Sequence, residues 1–255
     1  MSQEAQLDAA RDSGIIALLK LLRPHQWVKN GFVAAPLFFT SDAVNQENII
    51  LIILGMVSFC AVSSCVYILN DYADRESDRK HPEKCRRPLA AGTVSVPAAF
   101  IALGALLLSS FSLAYYLEPV FAVILATYFS MNLAYSFSLK HVALIDVMII
   151  SLGFILRVEG GGALLENVTL SAWIIIMTGL FALFIALAKR RDDVIKELGG
   201  DHRRSLDGYT LPFLDTVMSI VTGALLVAYL VYTTDENVME RIGSDKIFYT
   251  TPFVV

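Results

Sequence analysis

The sequence predicts an all-α protein that crosses a membrane several times, and three observations carry that prediction. The 255 residues are 56% hydrophobic and only 17% charged. Their mean hydropathy of +0.60 lies outside the range of soluble domains. The apolar residues collect into runs approaching the roughly 20 residues that a helix needs to cross a bilayer. Lipid offers no partner to a backbone donor or acceptor, so these runs must be helical.

Taken in order, residues 1–14 (MSQEAQLDAARDSG) are polar and mixed in charge. They lack the basic-then-apolar plan of a cleaved signal and read as a cytosolic tail, with 15–255 a single transmembrane domain. Apolar runs follow at 49–69, 94–117, 120–139, 142–156, 172–188 and 211–232. A shorter run at 31–39 extends backwards through Trp27 into the amphipathic SGIIALLKLLRPHQW. After the polar TTDENVMERIGSDK the chain turns apolar again in IFYTTPFVV, nine residues that are too few to span, so the chain is expected to be truncated. Cys60 and Cys65 fall in an apolar run and Cys85 among charges. That pattern suits reduced thiols rather than a disulfide or a zinc site.

Threading these runs alternately across a bilayer places seventeen of the twenty Lys and Arg residues on one side. The positive-inside rule makes that side cytosolic. Orientation accounts for the bases but not for the acids beside them. In NDYADRESD, Asp71, Asp74 and Asp78 follow i, i+3, i+7, within about 60° on one face of a continuous helix, with Asn70 on the same side. Three converging carboxylates repel one another and need a cation. A salt-bridged loop is the simple answer; Mg²⁺, a hard cation held by a few carboxylates and substrate phosphates, is the better one. Arg79, Lys84, Arg86 and Arg87 follow directly and suit phosphate oxygens.

NDYADRESD has the N-D-x-x-D-x-x-x-D form of the UbiA superfamily of intramembrane prenyltransferases, and the chain resembles that superfamily from about residue 22 to 253. RPHQWVKNGFVAAPLFF, DRKHPEKCRRPLAAG, YSFSLKHVALIDV, GFILRVEGG and AKRRDD resemble one branch of it, the decaprenyl-phosphate phosphoribosyltransferases. The resemblance implies a nine-helix bundle, of which this chain supplies seven helices and the start of an eighth. It also implies a catalytic domain in a bacterial cytoplasmic membrane, with its site facing the cytosol. The implied substrates are phosphoribosyl diphosphate and a polyprenyl phosphate, with no nucleic acid involved. The implied cofactor is Mg²⁺, which Mn²⁺ could replace.

Asn70, Asp71, Asp74 and Asp78 become the catalytic acids and their neighbour, with the three aspartates and Asp193 as metal ligands. Two departures from the superfamily stand out. Its Y-x-x-x-K is one residue longer here, between Tyr135 and Lys140. Its second D-x-x-x-D reads Asp193 to Glu197, after Lys189, Arg190, Arg191 and Asp192. Fewer metals and more basic contacts at that second motif fit a donor other than a prenyl diphosphate.

Other polar groups divide between site and scaffold. Arg23 and Trp27 are as readily interfacial anchors as site residues, whereas Lys29 and Asn30 are expected to contact phosphate. Lys140, with His141, forms the short link between two runs and is a topogenic charge or a substrate contact. Arg190 and Arg191 suit a phosphate or plain solvation, and His202 reads as a surface histidine. Asp146, about a turn and a half into its run, is a better site candidate than the deeper Arg157 and Glu159.

The nearest competing function is prenyl transfer from a prenyl diphosphate to an aromatic acceptor. The CDP-alcohol phosphotransferases are rejected because their D-G-x-x-A-R is missing: Arg75 follows Asp74. A transporter would need paired interrupted helices in two related halves, and no internal repeat is found.

Overall fold

A computed structural model describes residues 14–40, 43–166, 168, 170–197, 208–242 and 246–251, all in helices, turns and links with no strand. Helix α1 is Gly14–Leu22, followed by a 3-10 segment Pro24–Ala34 and the short α2, Ala35–Phe38. The long α3, Gln46–Ala73, is succeeded by the one-turn helices α4, Arg75–Asp78, and α5, Pro88–Ala91, around a 3-10 turn Lys84–Arg86. Then come α6 (Val96–Leu117), α7 (Pro119–Phe137), a 3-10 turn Leu139–His141, α8 (Ile145–Ala163), α9 (Ala172–Glu197), α10 (Leu211–Thr234) and α11 (Glu236–Ile242). A 3-10 turn, Ile247–Thr250, is the last. Five of these, α3, α6, α7, α9 and α10, are long and apolar enough to cross a membrane. The 19-residue α8 carries Asp146, Arg157 and Glu159 within its length.

The helix starts are written in the sequence. Asn45 Oδ1 accepts from Asn48 N–H at the head of α3. Ser95 caps α6 with a proline in its first turn, and Thr210 does the same for α10. Each supplies an oxygen to an N–H that the helix cannot satisfy. Gly92, at φ 77°, ends α5 in the left-handed conformation that an L side chain resists.

Several expectations are corrected. The 31–39 run does not extend backwards as one span: α1, a 3-10 stretch and α2 replace it, broken at Arg23 with φ 53°. The run expected at 142–156 begins at Ile145, because Leu144 at φ 70° interrupts the backbone. Asp146 therefore lies in the first turn of α8, not a turn and a half inside. The link before it runs from 138 to 144, longer than Lys140 and His141 alone. The helix of the 172–188 run continues beyond its apolar part to Glu197 and carries Lys189, Arg190, Arg191 and Asp193. His202 lies outside the described residues.

The chain folds as two compact units. The first takes residues up to Gly31 together with Leu54–Phe137; the second takes Phe32–Ile53 and Ser138–Val255. In the first, the N-terminal segment lies along one stripe of α3. Ile68 packs with Ala17, Leu21 and Leu89. Ser64 Oγ donates to the Leu22 carbonyl and accepts from Trp27 Nε1. Asn30 Nδ2 reaches Cys60 Sγ. Positions 60, 64, 68 and 71 recur at helical spacing, which makes this one continuous docking edge. Phe59 meets Phe121 and Tyr128 edge-on.

In the second unit, Val147 of α8, Leu187 of α9 and Leu214 of α10 form the centre of a three-helix core. A smaller cluster joins Val158, Ile174, Tyr232 and Val238. There α8 presents Gly161 and Gly162, where side chains would collide with the Val33 carbonyl and Leu170.

Candidate active site

In the first unit the acids sit where α3 ends. The helix stops at Ala73, yet Asp74 N–H still bonds the Asn70 carbonyl (2.9 Å) and Asp78 N–H the Asp74 carbonyl (2.8 Å). The helical path is thus nearly continuous, and Asp71 and Asp78 end on a common side. Both are buried, at 1% and 3% exposure; Asp74 and Asn70 are half-buried.

Arginines compensate the buried pair. Arg23 Nη2 donates to Asp71 Oδ1 at 2.5 Å, and its guanidinium lies 5.0 Å from the Tyr67 ring centre. Arg87 Nη1 bonds both carboxylates, at 3.2 Å to Asp71 Oδ1 and 2.7 Å to Asp78 Oδ2. Asp71 Oδ2 is buried and accepts no hydrogen bond. Such an atom is costly to leave bare.

The other basic residues of this unit are spread. Arg79 pairs with Glu76 and donates to the Ala90 carbonyl. The Arg75 hydrogen bond, and then the Arg79 charge, hold the Glu76 carboxyl below the usual carboxylate range. Lys84 is half-buried on its 3-10 turn, Lys29 is exposed and Tyr135 half-buried. Asn30 is fully buried against Cys60 and Ser63, in packing rather than at an open surface.

The implied Mg²⁺ can be judged on these residues. Among the described residues no three acids, histidines or cysteines converge as a ready metal cage. Mg²⁺ does not require one, since it is usually held by one or two carboxylates with water and substrate phosphate. Asp71 and Asp78 already share one cationic nitrogen, and Asp71 keeps a buried oxygen bare. The residues fit.

The second unit holds a separate network. Asp146, fully buried, accepts from Arg190 Nε (2.6 Å) and from the Tyr209 hydroxyl (2.5 Å). That hydroxyl also accepts from Leu144 N–H at 2.8 Å, which secures the backbone at its left-handed turn. Arg190 Nη1 continues to Asp193 Oδ2 at 3.0 Å. Asp193 thus stands beside a guanidinium in this unit. Burial and the bond to Asp146 push the Tyr209 phenol far up, so it stays a proton donor. Arg191 pairs with Asp215 at 2.5 Å. Lys189 is exposed and Lys140 half-buried. Arg157 is buried, donates to the Gly153 carbonyl and faces the Phe154 ring.

Tyr209 and Asp215 are the residues that sequence reasoning missed. Arg23, evenly placed between headgroup anchor and site residue by the sequence, is aimed by the fold at Asp71. For Tyr209 the signal was slight: a lone tyrosine between a glycine and a capping threonine.

Helices of membrane-crossing length, one ending in a buried acidic pair neutralised by arginine, are the marks of a polytopic helical membrane protein. The UbiA prenyltransferase family model matches residues 31–234, and the chain belongs to that family. It is 35% identical, over 236 residues, to a decaprenyl-phosphate phosphoribosyltransferase of Mycolicibacterium smegmatis, covering 90% of this chain and 74% of that one. A protein of the same name from Corynebacterium glutamicum is 36% identical over 86% of this chain and 67% of its own. Among solved structures, a UbiA homolog from Archaeoglobus fulgidus bound to GPP and Mg²⁺ superimposes with a TM-score of 0.72 at 19% identity, covering 93% of this chain and 85% of that one. At that identity the likeness speaks for the fold.

Proposed function

We propose that the protein is a Mg²⁺-dependent transferase that moves a 5-phosphoribosyl group from phosphoribosyl diphosphate to a polyprenyl phosphate, releasing diphosphate. The observation that carries this is the 35% identity, across 90% of the chain, to a relative named for that activity. The family model runs through both compact units, which supports reading 15–255 as one catalytic domain. The excess of Lys and Arg after α3 and along the C-terminal end of α9 supports a bacterial cytoplasmic membrane with these charges in the cytosol.

Asp71, Asp78 and the half-buried Asp74 would hold the metal. When bound, it supplies charge neutralisation on the departing diphosphate. Arg87, with Arg79 and Lys84 beside it, offers guanidinium and ammonium groups to the remaining diphosphate oxygens. These donors act where charge develops as the anomeric carbon–oxygen bond breaks. An oxygen of the lipid phosphate attacks that carbon from the opposite face and inverts it. This nucleophile is anionic at neutral pH, so no strong base is demanded. Lys189, Arg190 and Arg191 of the second unit are further basic groups suited to phosphate, with Arg190 held by Asp146.

The test is transfer of radiolabel from phosphoribosyl diphosphate into an organic-soluble polyprenyl phosphate, in detergent with Mg²⁺. Label should enter the organic phase with the parent protein, vanish with chelator, and fall at least about a hundredfold with Asp74→Asn. Coupling of a prenyl diphosphate to an aromatic acid, with no phosphoribosyl transfer, would overturn the substrate assignment and keep the fold.

A further inference from the structure

We propose that Arg87 is the resident counter-cation of the acidic motif. It bridges Asp71 and Asp78 while no metal is bound, and releases them as a diphosphate oxygen takes its guanidinium. Cation and diphosphate therefore bind as a pair. The inference rests on the metal–diphosphate donor proposed above.

The geometry distinguishes Arg87 from the other arginines. A single nitrogen, Nη1, touches both buried carboxylates, at 3.2 and 2.7 Å, the place that a shared cation would take. Arg23 touches Asp71 alone and is held elsewhere by its stacking on Tyr67 and its left-handed backbone. It stays, and it occupies Oδ1 while Oδ2 remains buried and bare. Arg79 bonds Glu76 and the Ala90 carbonyl and bridges neither buried carboxylate. Arg87 lies outside the span, between a 3-10 turn and Pro88, with a quarter of its side chain exposed. It has a route outward.

Charge gives the coupling its sign. Asp71, Asp74 and Asp78 carry three negative charges; Arg23 and Arg87 carry two positive ones. The group is therefore close to balance without metal. A divalent cation arriving alone would leave it with an excess positive charge in a poorly solvated place. A cation arriving with a diphosphate brings its own compensation, and the displaced guanidinium gains a bidentate phosphate partner. Because linkage is reciprocal, diphosphate should raise cation affinity by the factor by which the cation raises diphosphate affinity.

The experiment uses the full chain in detergent, Mn²⁺ as a spin-resonance probe and pyrophosphate as the diphosphate, with no turnover involved. The parent should bind Mn²⁺ weakly alone and much more tightly with pyrophosphate. In Arg87→Met, Mn²⁺ alone should bind about tenfold tighter, and the enhancement by pyrophosphate should shrink by about tenfold or more. The variant should also melt lower than the parent in chelator and recover in Mg²⁺, whereas the parent gains little from Mg²⁺ alone. Equal or weaker Mn²⁺ binding by the variant would overturn the inference. So would a melting temperature that Mg²⁺ does not raise, or a variant that cannot be obtained folded even with Mg²⁺. If the parent transfers phosphoribose but shows no such exchange, only this inference falls. If the exchange is present and no phosphoribose moves, the functional proposal falls and the exchange stands.

Discussion

Buried charge in this protein is organised by single hydrogen-bond donors, and Tyr209 is the clearest case. Its hydroxyl gives its proton to Asp146 and accepts from Leu144 N–H, so one phenol secures both the carboxylate that holds Arg190 and the turn that starts α8. Tyr209→Phe removes both bonds and leaves the Leu144 N–H without this partner. A loss of about 1–3 kcal/mol in stability is expected, read as a lower melting temperature. The pH dependence follows from the sign of the shift. The folded-state pKa of Tyr209 is raised, so its contribution is complete below the ordinary phenol range and fades only as pH climbs through the folded value. The melting difference between variant and parent should therefore stay flat from about pH 6 to 9. A difference that collapses within that window would mean the phenol ionises there, against the assigned bonds.

At the scale of elements, close approach of helices depends on a few glycines. In α8, a side chain at Gly161 would meet the Val33 carbonyl at 1.9 Å, with backbone that cannot swing aside. Gly104 in α6 has open space around its missing Cβ. Gly161→Ala should lower the melting temperature or abolish folding. Gly104→Ala should be neutral or stabilise by up to about 1 kcal/mol, because alanine restricts the unfolded chain and favours helix. Thermal melts of both in detergent decide it, and equal effects would contradict this packing. The same contrast explains what could be read in advance. The extents of α6, α7 and α10 were legible because their apolar runs are local signals. The acidic motif was legible because its spacing is local too. The Arg23–Asp71 bond joins residues 48 apart and the Tyr209–Asp146 bond residues 63 apart, so no local pattern announces them. The breaks at Arg23 and Leu144 were hidden for a related reason: left-handed backbone at a residue other than glycine is imposed by tertiary contacts, not by the residue itself.

For the molecule as a whole, the bilayer supplies what the interior does not. The α6–α7 hairpin leaves Ile101, Leu108, Val120 and Val123 more than half exposed, a surface that only lipid or another apolar body would cover without penalty. The 22 residues of α6 span about 33 Å, enough to carry the chain from one face of a membrane to the other. Its N-terminal end follows the loop with Arg75, Arg79, Lys80, Lys84, Arg86 and Arg87; its C-terminal end meets Glu118 and no basic residue before α7. The positive-inside rule then predicts that Cys85 faces the cytosol and Glu118 the outside. A membrane-impermeant maleimide should label Cys85 in inside-out vesicles and leave it untouched in spheroplasts. In a Cys85→Ser background, Glu118→Cys should give the reverse, while Cys60 and Cys65, within α3, stay unlabelled in both. Labelling of Cys85 from outside would invert the topology. It would place the acidic motif on the side where phosphoribosyl diphosphate is not made, and the proposed donor would have to be abandoned with it.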